Sequence, residues 1–219
     1  MSSPEPEAGK RLRIPGVRAP KPLLPPETER RLTARQRQVL DALEEEGLFV
    51  EQGLADLTMA QIAARVNCSL RTLYGISPSK EELVLTVVDR RLHRIGRTAI
   101  ESLDSSLSPL AALRAYLRAA NQAIQPETVS FERDFIDLPG ARRLLDAHEG
   151  YVIAVTQSLL ERAVTEGQIP PVDTASVAQV LGGLGREFAR PEVAEVSAAS
   201  PKATADAIAD ILLRGLERS

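Results

Sequence analysis

The sequence predicts an all-α protein in which an N-terminal three-helix unit is joined by a long helix to a C-terminal helical domain. Apolar residues recur at helical spacing through most of the chain after residue 32. Ala, Leu, Arg and Glu dominate the composition, aromatic residues make up only 3%, and no run of alternating β-branched residues predicts a sheet. With 219 residues, 43% of them hydrophobic, the chain can bury a core without a disulfide, and its single cysteine permits none within the chain.

Residues 1–31 are predicted to be an extended, flexible arm, because prolines exclude a helix and few large apolar side chains are present. The arm is basic, and residues 1–37 hold nine basic against four acidic side chains. Such an arm could follow a phosphate backbone or enter a minor groove, or it could be an extension without function, and both readings stay open. The prolines are Pro4, Pro6, Pro15, Pro20, Pro22, Pro25 and Pro26, and the basic residues include Lys10, Arg11, Arg13, Arg18 and Lys21.

Residues 32–79 are predicted to form the three-helix unit, whose first helix begins after the capping residue Thr33 and ends near Gln52 and Gly53. Thr58 caps a second helix that ends near Val66.

The spacing of this second helix and the next predicts a helix-turn-helix. Asn67 suits a left-handed turn position, and Ser69 caps a short third helix. Ser77-Pro78-Ser79 then breaks the chain, and Ser79 with Glu82 forms a capping signal for the long helix.

Residues 80–219 are predicted to form the C-terminal domain. Each helix follows from an apolar stripe bounded by proline, glycine or a capping residue. The predicted helices cover residues 80–102, 109–125, 138–166, 173–189 and 201–216, and a polar linker occupies residues 190–200.

The short third helix carries hydrogen-bonding side chains that a small core does not need. The first turn of such a helix usually meets base edges in the major groove. Arg71 could donate two hydrogen bonds to guanine, while Leu70 and Thr72 offer methyl groups to thymine. The predicted DNA contacts are Thr58, Ser69, Leu70, Arg71, Thr72, Tyr74 and Lys80, with Thr58, Tyr74 and Lys80 assigned to phosphates.

The charge distribution agrees with this assignment. The net charge is −3, but residues 1–97 hold 16 basic and 13 acidic side chains, whereas residues 98–219 hold 11 and 17. A basic first part suits a protein that presents one end to phosphates.

The segment IAARVNCSLRTLYGISPSKEEL resembles the signature of the TetR family of bacterial transcriptional regulators, and the resemblance covers about residues 33–85. The chain differs from the family pattern at Asn67, where glycine is usual, at Ile76, where histidine is frequent, and at Ser77, where a buried phenylalanine is general. The matching residues are Phe49, Gly53, Thr58, Ile62-Ala63, Ser69, Thr72-Leu73-Tyr74 and Ser79-Lys80-Glu81.

The resemblance implies a homodimer that places one recognition helix of each subunit in successive major grooves of a near-palindromic duplex. It also implies that a small-molecule effector, bound in the C-terminal domain, changes the separation of the two DNA-binding units. We therefore expect a repressor that responds to a ligand.

The resemblance also implies that the last two helices form the four-helix interface of the dimer, and their sequence agrees with this, since they carry more apolar surface than two terminal helices need. Small residues among them would permit close approach of the partner, although packing within one chain is the competing interpretation. The apolar set is Val177, Val180, Leu181, Leu184, Phe188, Ile208, Ile211, Leu212 and Leu216, and the small residues are Gly182, Gly183, Gly185, Ala205 and Ala209.

The effector cavity is expected to be mainly aliphatic with one or two polar anchors, because aromatic residues are few. His148 and Tyr151, one helical turn apart, are the first candidates. The full set of predicted ligand contacts is Tyr116, Asn121, Phe135, His148 and Tyr151.

Other functions find little support in the sequence. Two histidines and one cysteine leave few nucleophile–base pairs, and no glycine-rich phosphate loop follows a strand, so we expect neither an enzyme nor a bound cofactor or metal ion. No apolar stretch approaches membrane-spanning length and no signal peptide is evident, which predicts a cytoplasmic protein. The main alternative is an α-helical dimeric interaction protein with weak or lost DNA binding, favoured by the unusual Asn67, Ile76 and Ser77.

Overall fold

The computed structural model describes residues 14, 16–45, 57–104, 106–123, 134–194 and 196–217. Within these ranges the chain is built of helices, which confirms the all-α prediction. None of the helices in the described ranges is both long and apolar enough to cross a bilayer.

The N-terminal part follows the predicted order of helices. Ser79 begins the long helix as predicted, because its Oγ accepts a hydrogen bond from the Glu82 N–H at 3.2 Å. The predicted end of the first helix near Gln52 lies outside the described residues. The helices are α1 (Pro26–Arg31), α2 (Ala34–Glu45), α3 (Met59–Arg65), α4 (Leu70–Tyr74) and α5 (Lys80–Glu101).

The C-terminal helices also lie close to their predicted positions. Pro109 opens α6 behind the capping residue Ser108, and α7 begins at Ala141 because Gly140 adopts a left-handed φ of 94° just before it. The helices are α6 (Pro109–Ala120), a 3₁₀ turn (Asn121–Ala123), α7 (Ala141–Thr165), α8 (Thr174–Ala189), α9 (Pro191–Ala194) and α10 (Pro201–Glu217). The last predicted residues of α6, 124 and 125, lie outside the described part.

Two sequence predictions are wrong. Residues 26–31 are helical, because Pro26 stands at the start of α1, where its missing N–H needs no partner. Leu24, two residues before this helix, is buried in the N-terminal core group, so this part of the arm packs on the protein. The linker at 190–200 contains the short helix α9, which begins at Pro191 for the same reason.

Two groups of buried side chains form the core. The first lies among α2, α3, α4 and the beginning of α5, with Leu40, Ile62 and Leu73 fully buried. The second lies among α6, α7, α8 and α10 and includes Tyr116 and Leu159. Helix α5 contributes to both groups, so it connects the two parts of the molecule through packed side chains and not only through the backbone.

Arg90 of α5 ties this helix to the N-terminal part. Its guanidinium pairs with Glu29 of α1 and lies 2.8 Å from Asp41 and 3.4 Å from Glu44, both on α2. Arg94, one turn later, lies 3.0 Å from the buried Glu44 carboxylate. The N-terminal helices and the first half of α5 are thus held together by ion pairs as well as by apolar packing.

Candidate nucleic-acid interface and ligand cavity

The helix-turn-helix is fixed by local hydrogen bonds that the sequence specifies. Thr58 and Gln61 form a reciprocal capping box at the start of α3. Asn67 adopts φ 47°, the left-handed conformation that the turn requires and that asparagine tolerates. Ser69 Oγ then accepts the Thr72 N–H at 3.1 Å and caps α4.

Helix α4 buries one side chain and presents the others to solvent. Leu73 is fully buried and anchors the helix to the core, whereas Leu70 is 43% and Tyr74 53% exposed. Arg71 is also exposed, and Thr72 is half-buried. The structure therefore places the predicted base-contacting side chains on an accessible helix, with Lys80 half-buried at the first turn of α5.

The hydroxyl groups of this surface already make hydrogen bonds within the chain. The Ser69 and Thr72 hydroxyls lie 2.9 Å apart, and the Thr58 hydroxyl donates to Gln61 Oε1 at 2.8 Å. Their first role is to hold the helix starts. One hydroxyl of the Ser69–Thr72 pair keeps a proton that it can donate to DNA, whereas Thr58 would have to give up its bond to Gln61 before it could donate to a phosphate. Arg71 and the Tyr74 hydroxyl are the side chains best suited to donate to DNA.

Sequence reasoning missed three residues of α2 and its cap that lie beside α4. Thr33, Arg35 and Gln36 line a shallow surface depression together with Ser69, Arg71, Thr72, Tyr74 and Gly75. Arg35 Nη2 donates to the Asn67 carbonyl at 2.6 Å, which links α2 to the turn and adds positive charge next to α4. No local sequence signal could find Arg35, because it is 32 positions from its partner in the chain.

The two unusual residues after α4 lie in the core region. Ser77 is buried, and its N–H donates to the Leu73 carbonyl at 3.0 Å. Ile76 is half-buried and packs against the N-terminal core. An apolar side chain is therefore present one position before the place where the family has its phenylalanine.

A cavity of about 150 Å³ lies among α5, α6, α7 and α8. Four of the five predicted ligand residues line it: Tyr116, Asn121, His148 and Tyr151. The structure does not bring Phe135 to this cavity, since that side chain is fully buried in the N-terminal core group. The error arose because Phe135 precedes α7, and the sequence does not show which of the two cores receives it.

Some polar groups of the cavity have hydrogen-bond partners within the chain, and one does not. Asn121 Nδ2 donates to Asp206 of α10 at 2.7 Å. The Tyr116 hydroxyl is buried and finds no hydrogen-bond partner in the described part of the chain. Burial raises the pKa of Tyr116 far above its usual value, so the phenol stays protonated and can donate. On the rim, Arg186 of α8 pairs with Asp146 at 2.6 Å and with Glu149.

The apolar residues of α8 and α10 divide into two faces. Val180 is 53%, Ile211 64% and Leu212 38% exposed, so they remain available on the outside. In contrast, Leu181 is buried in the second core group. For this residue, packing within one chain is therefore supported over a place in a dimer interface.

The small residues of these helices also pack within the chain. Ala205 and Ala209 are buried. A Cβ at Gly182 would lie 2.7 Å from Ile153 Cγ1 of α7, and Gly185 lines the cavity. Gly182 therefore permits close approach of α7 within the chain, which supports the competing interpretation for this residue.

The helix-turn-helix with its exposed α4 is the arrangement found in DNA-binding transcription regulators. Residues 46–87 match the family described as bacterial regulatory proteins, tetR family. No curated protein matches the chain. The resemblance to the TetR family inferred from the sequence is confirmed by this match and by the fold.

Solved structures of transcriptional regulators share the fold over most of the chain. A TetR transcription regulator from Haloarcula marismortui has a TM-score of 0.69 at 17% identity, covering 83% of this chain and 97% of that chain. A transcriptional regulator from Cytophaga hutchinsonii has a TM-score of 0.66 at 15% identity, covering 85% and 98%. The TetR-family regulator PfmR from Thermus thermophilus has a TM-score of 0.55 at 24% identity, covering 83% and 100%.

Proposed function

We propose that the chain is a homodimeric, ligand-responsive repressor that binds a near-palindromic DNA site. The observation that carries the proposal is the exposed first turn of α4, where Leu70 and Arg71 are accessible and the helix is fixed by Ser69 and Leu73. The DNA-binding residues we assign are those predicted from the sequence, with Arg35 added at the side of the recognition helix. The proposed domains are residues 1–31, 32–79 and 80–219.

Dimerisation through α8 and α10 is part of the proposal. Val180 of α8 and Ile211 and Leu212 of α10 are exposed apolar side chains on two helices that pack against each other. Burial of these side chains against the same helices of a second subunit would remove them from water and create a four-helix interface. A dimer would present two recognition helices, as a palindromic site requires.

The effector is proposed to bind in the cavity lined by Tyr116, His148 and Tyr151. The cavity is smaller than common drug-sized sites, so a small ligand with a largely apolar body fits best. The unpaired Tyr116 hydroxyl would donate to a hydrogen-bond acceptor on that ligand. Because the cavity touches both α5 and α7, a ligand there could alter the angle of α5 and with it the position of α4.

Selection of the purified protein against a random duplex DNA library tests the DNA proposal. Enrichment of a palindrome, with affinity that falls steeply as salt rises, is the expected result, because phosphate contacts release counterions. No enrichment at low salt would contradict the proposal and favour the interaction-protein alternative. A variant with Arg71→Ala, analysed in the same library, controls for binding through the basic arm alone.

A further inference from the structure

A compact group of metal-ligating side chains joins α5 to α7. Asp89 and His93 lie one turn apart on α5, and His148 lies opposite them on α7. Asp89 Oδ1 is 2.9 Å from His148 Nε2 and 3.5 Å from His93 Nε2, and one ligand atom from each residue lies within 4.8 Å of the other two. We propose that these three residues bind one divalent transition-metal ion of the Zn²⁺ class.

Two of the three ligand pairs are close to the spacing of a three-residue metal site, and the third pair, between the two histidines, lies within 4.8 Å. With bonds of about 2.0–2.1 Å to nitrogen and oxygen, ligand atoms around a tetrahedral ion lie about 3.4 Å apart. The distance from Asp89 to His93 already agrees, and the distance from Asp89 to His148 has to grow by only about 0.5 Å. Imidazole and carboxylate are the ligands that Zn²⁺ and its neighbours in the first transition row use.

A hydrogen-bonded Asp–His pair alone does not account for the third residue. His93 Nε2 is buried and finds no hydrogen-bond partner in the described part of the chain. The two imidazole rings meet edge to face with centroids 4.8 Å apart, so both can turn a nitrogen toward Asp89. A metal ion between them would satisfy the His93 nitrogen and replace the direct bond from His148 to Asp89.

The surroundings provide an open coordination position and a second hydrogen-bonding shell. A cavity of about 240 Å³ borders His93, His148, Gly96 and Tyr151, so water or a donor atom of a small ligand could complete the coordination. The other oxygen of Asp89 accepts the Leu23 N–H at 2.8 Å, which orients the carboxylate. Arg97 also borders this cavity, and its positive charge would repel the ion.

Binding of the ion itself is independent of the proposed function, whereas any effect on DNA rests on it. An ion held by α5 and α7 would fix the contact between the helices that border the effector cavity. Through the Leu23 N–H, it would also hold the segment before α1. The ion would then favour one angle of α5 relative to α7 and thereby change the affinity of the protein for DNA.

The test is titration of the chain, without a histidine tag and without DNA, with Zn²⁺ and with Co²⁺. We expect one ion per chain. The visible absorption of bound Co²⁺ should be that of an ion with a low coordination number. His93→Gln removes a ligand at a half-buried position, and Asp89→Asn keeps the shape of the carboxylate; each should weaken binding at least about tenfold. Cys68→Ser, which lies in the helix-turn-helix, should leave binding unchanged and serves as the control.

A readout without substitutions is available because the chain has only two histidines. In imidazole ¹⁵N spectra, both residues should shift together with one equivalent of Zn²⁺. Absence of binding at micromolar Zn²⁺, unchanged imidazole signals, or loss of binding in Cys68→Ser would overturn the proposal. Equal binding by folded His93→Gln and the parent chain would do the same.

Discussion

Two neighbouring glycines of α8 should respond in opposite ways to the same substitution. A Cβ at Gly182 would lie 2.7 Å from Ile153 Cγ1 and 3.1 Å from Ile153 Cα. A Cβ at Gly183 would lie 3.5 Å from Glu149 Oε1, an ordinary contact. Both residues are inside a helix, so alanine gains the same helix propensity at either position.

The expected magnitudes follow from these distances. Alanine in place of a helical glycine stabilises by about 0.5–1 kcal/mol, which is the result expected for Gly183→Ala. At Gly182 the new methyl group meets the Ile153 backbone, which cannot rotate away, and overpacking of this kind costs about 1–3 kcal/mol. Gly182→Ala should therefore change stability by between about zero and 2.5 kcal/mol in the destabilising direction.

Thermal and urea unfolding followed by far-ultraviolet circular dichroism would measure the difference. For a chain of this length, about 1 kcal/mol corresponds to roughly 2–4 °C in Tm, so the two variants should differ by roughly 2–12 °C. Protein concentration must be equal in all samples, because a dimer unfolds in a concentration-dependent way. A Gly182→Ala variant as stable as Gly183→Ala would refute the close approach of α7 and α8 at Ile153.

Four further predictions concern the surfaces and the connecting helix. Arg71→Ala should weaken DNA binding and relax sequence preference at one position of each half-site, whereas Lys80→Ala should weaken binding to all sequences and lower the salt slope by about one, both measured by fluorescence anisotropy. Ile211→Lys should shift the protein from dimer to monomer in analytical ultracentrifugation, because it places a charge in the proposed interface. Burial raises the pKa of the Cys68 thiol, so its alkylation by iodoacetamide should be slower in the folded chain than in urea. Arg90→Met should destabilise the chain by about 1–2 kcal/mol in urea unfolding, since three carboxylates lose a partly buried partner.

Local signals predicted the helix starts well. Thr58, Ser69 and Ser79 each cap the helix expected of them, because a capping hydroxyl acts within three residues of its own position. Helix α1 is not predicted from the sequence, because the density of prolines in residues 1–31 argues against a helix there. Pro26 occupies the one turn of a helix where proline is tolerated.

The candidate sites could be predicted only in part, since they depend on which helices meet. The exposure of Leu70 and Arg71 follows from the apolar spacing around Leu73, which lies in the same short helix. The group of Asp89, His93 and His148 joins residues up to 59 positions apart, and the sequence therefore predicted no metal site. The wrong placement of Phe135 has the same origin.

Adjacent residues of α5 connect this helix to different parts of the molecule, and this bears on where movement can occur. Arg90 and, one turn later, Arg94 bind carboxylates of α1 and α2, so the first half of α5 and the N-terminal helices should move as one body. Asp89, which also accepts the Leu23 N–H, contacts His148 of α7, next to the two cavities. We infer that the proposed ligand or ion would act by changing the contact between α5 and α7. Because the ion pairs between α5 and α2 would keep their geometry, the movement of α5 would be passed on to the recognition helix.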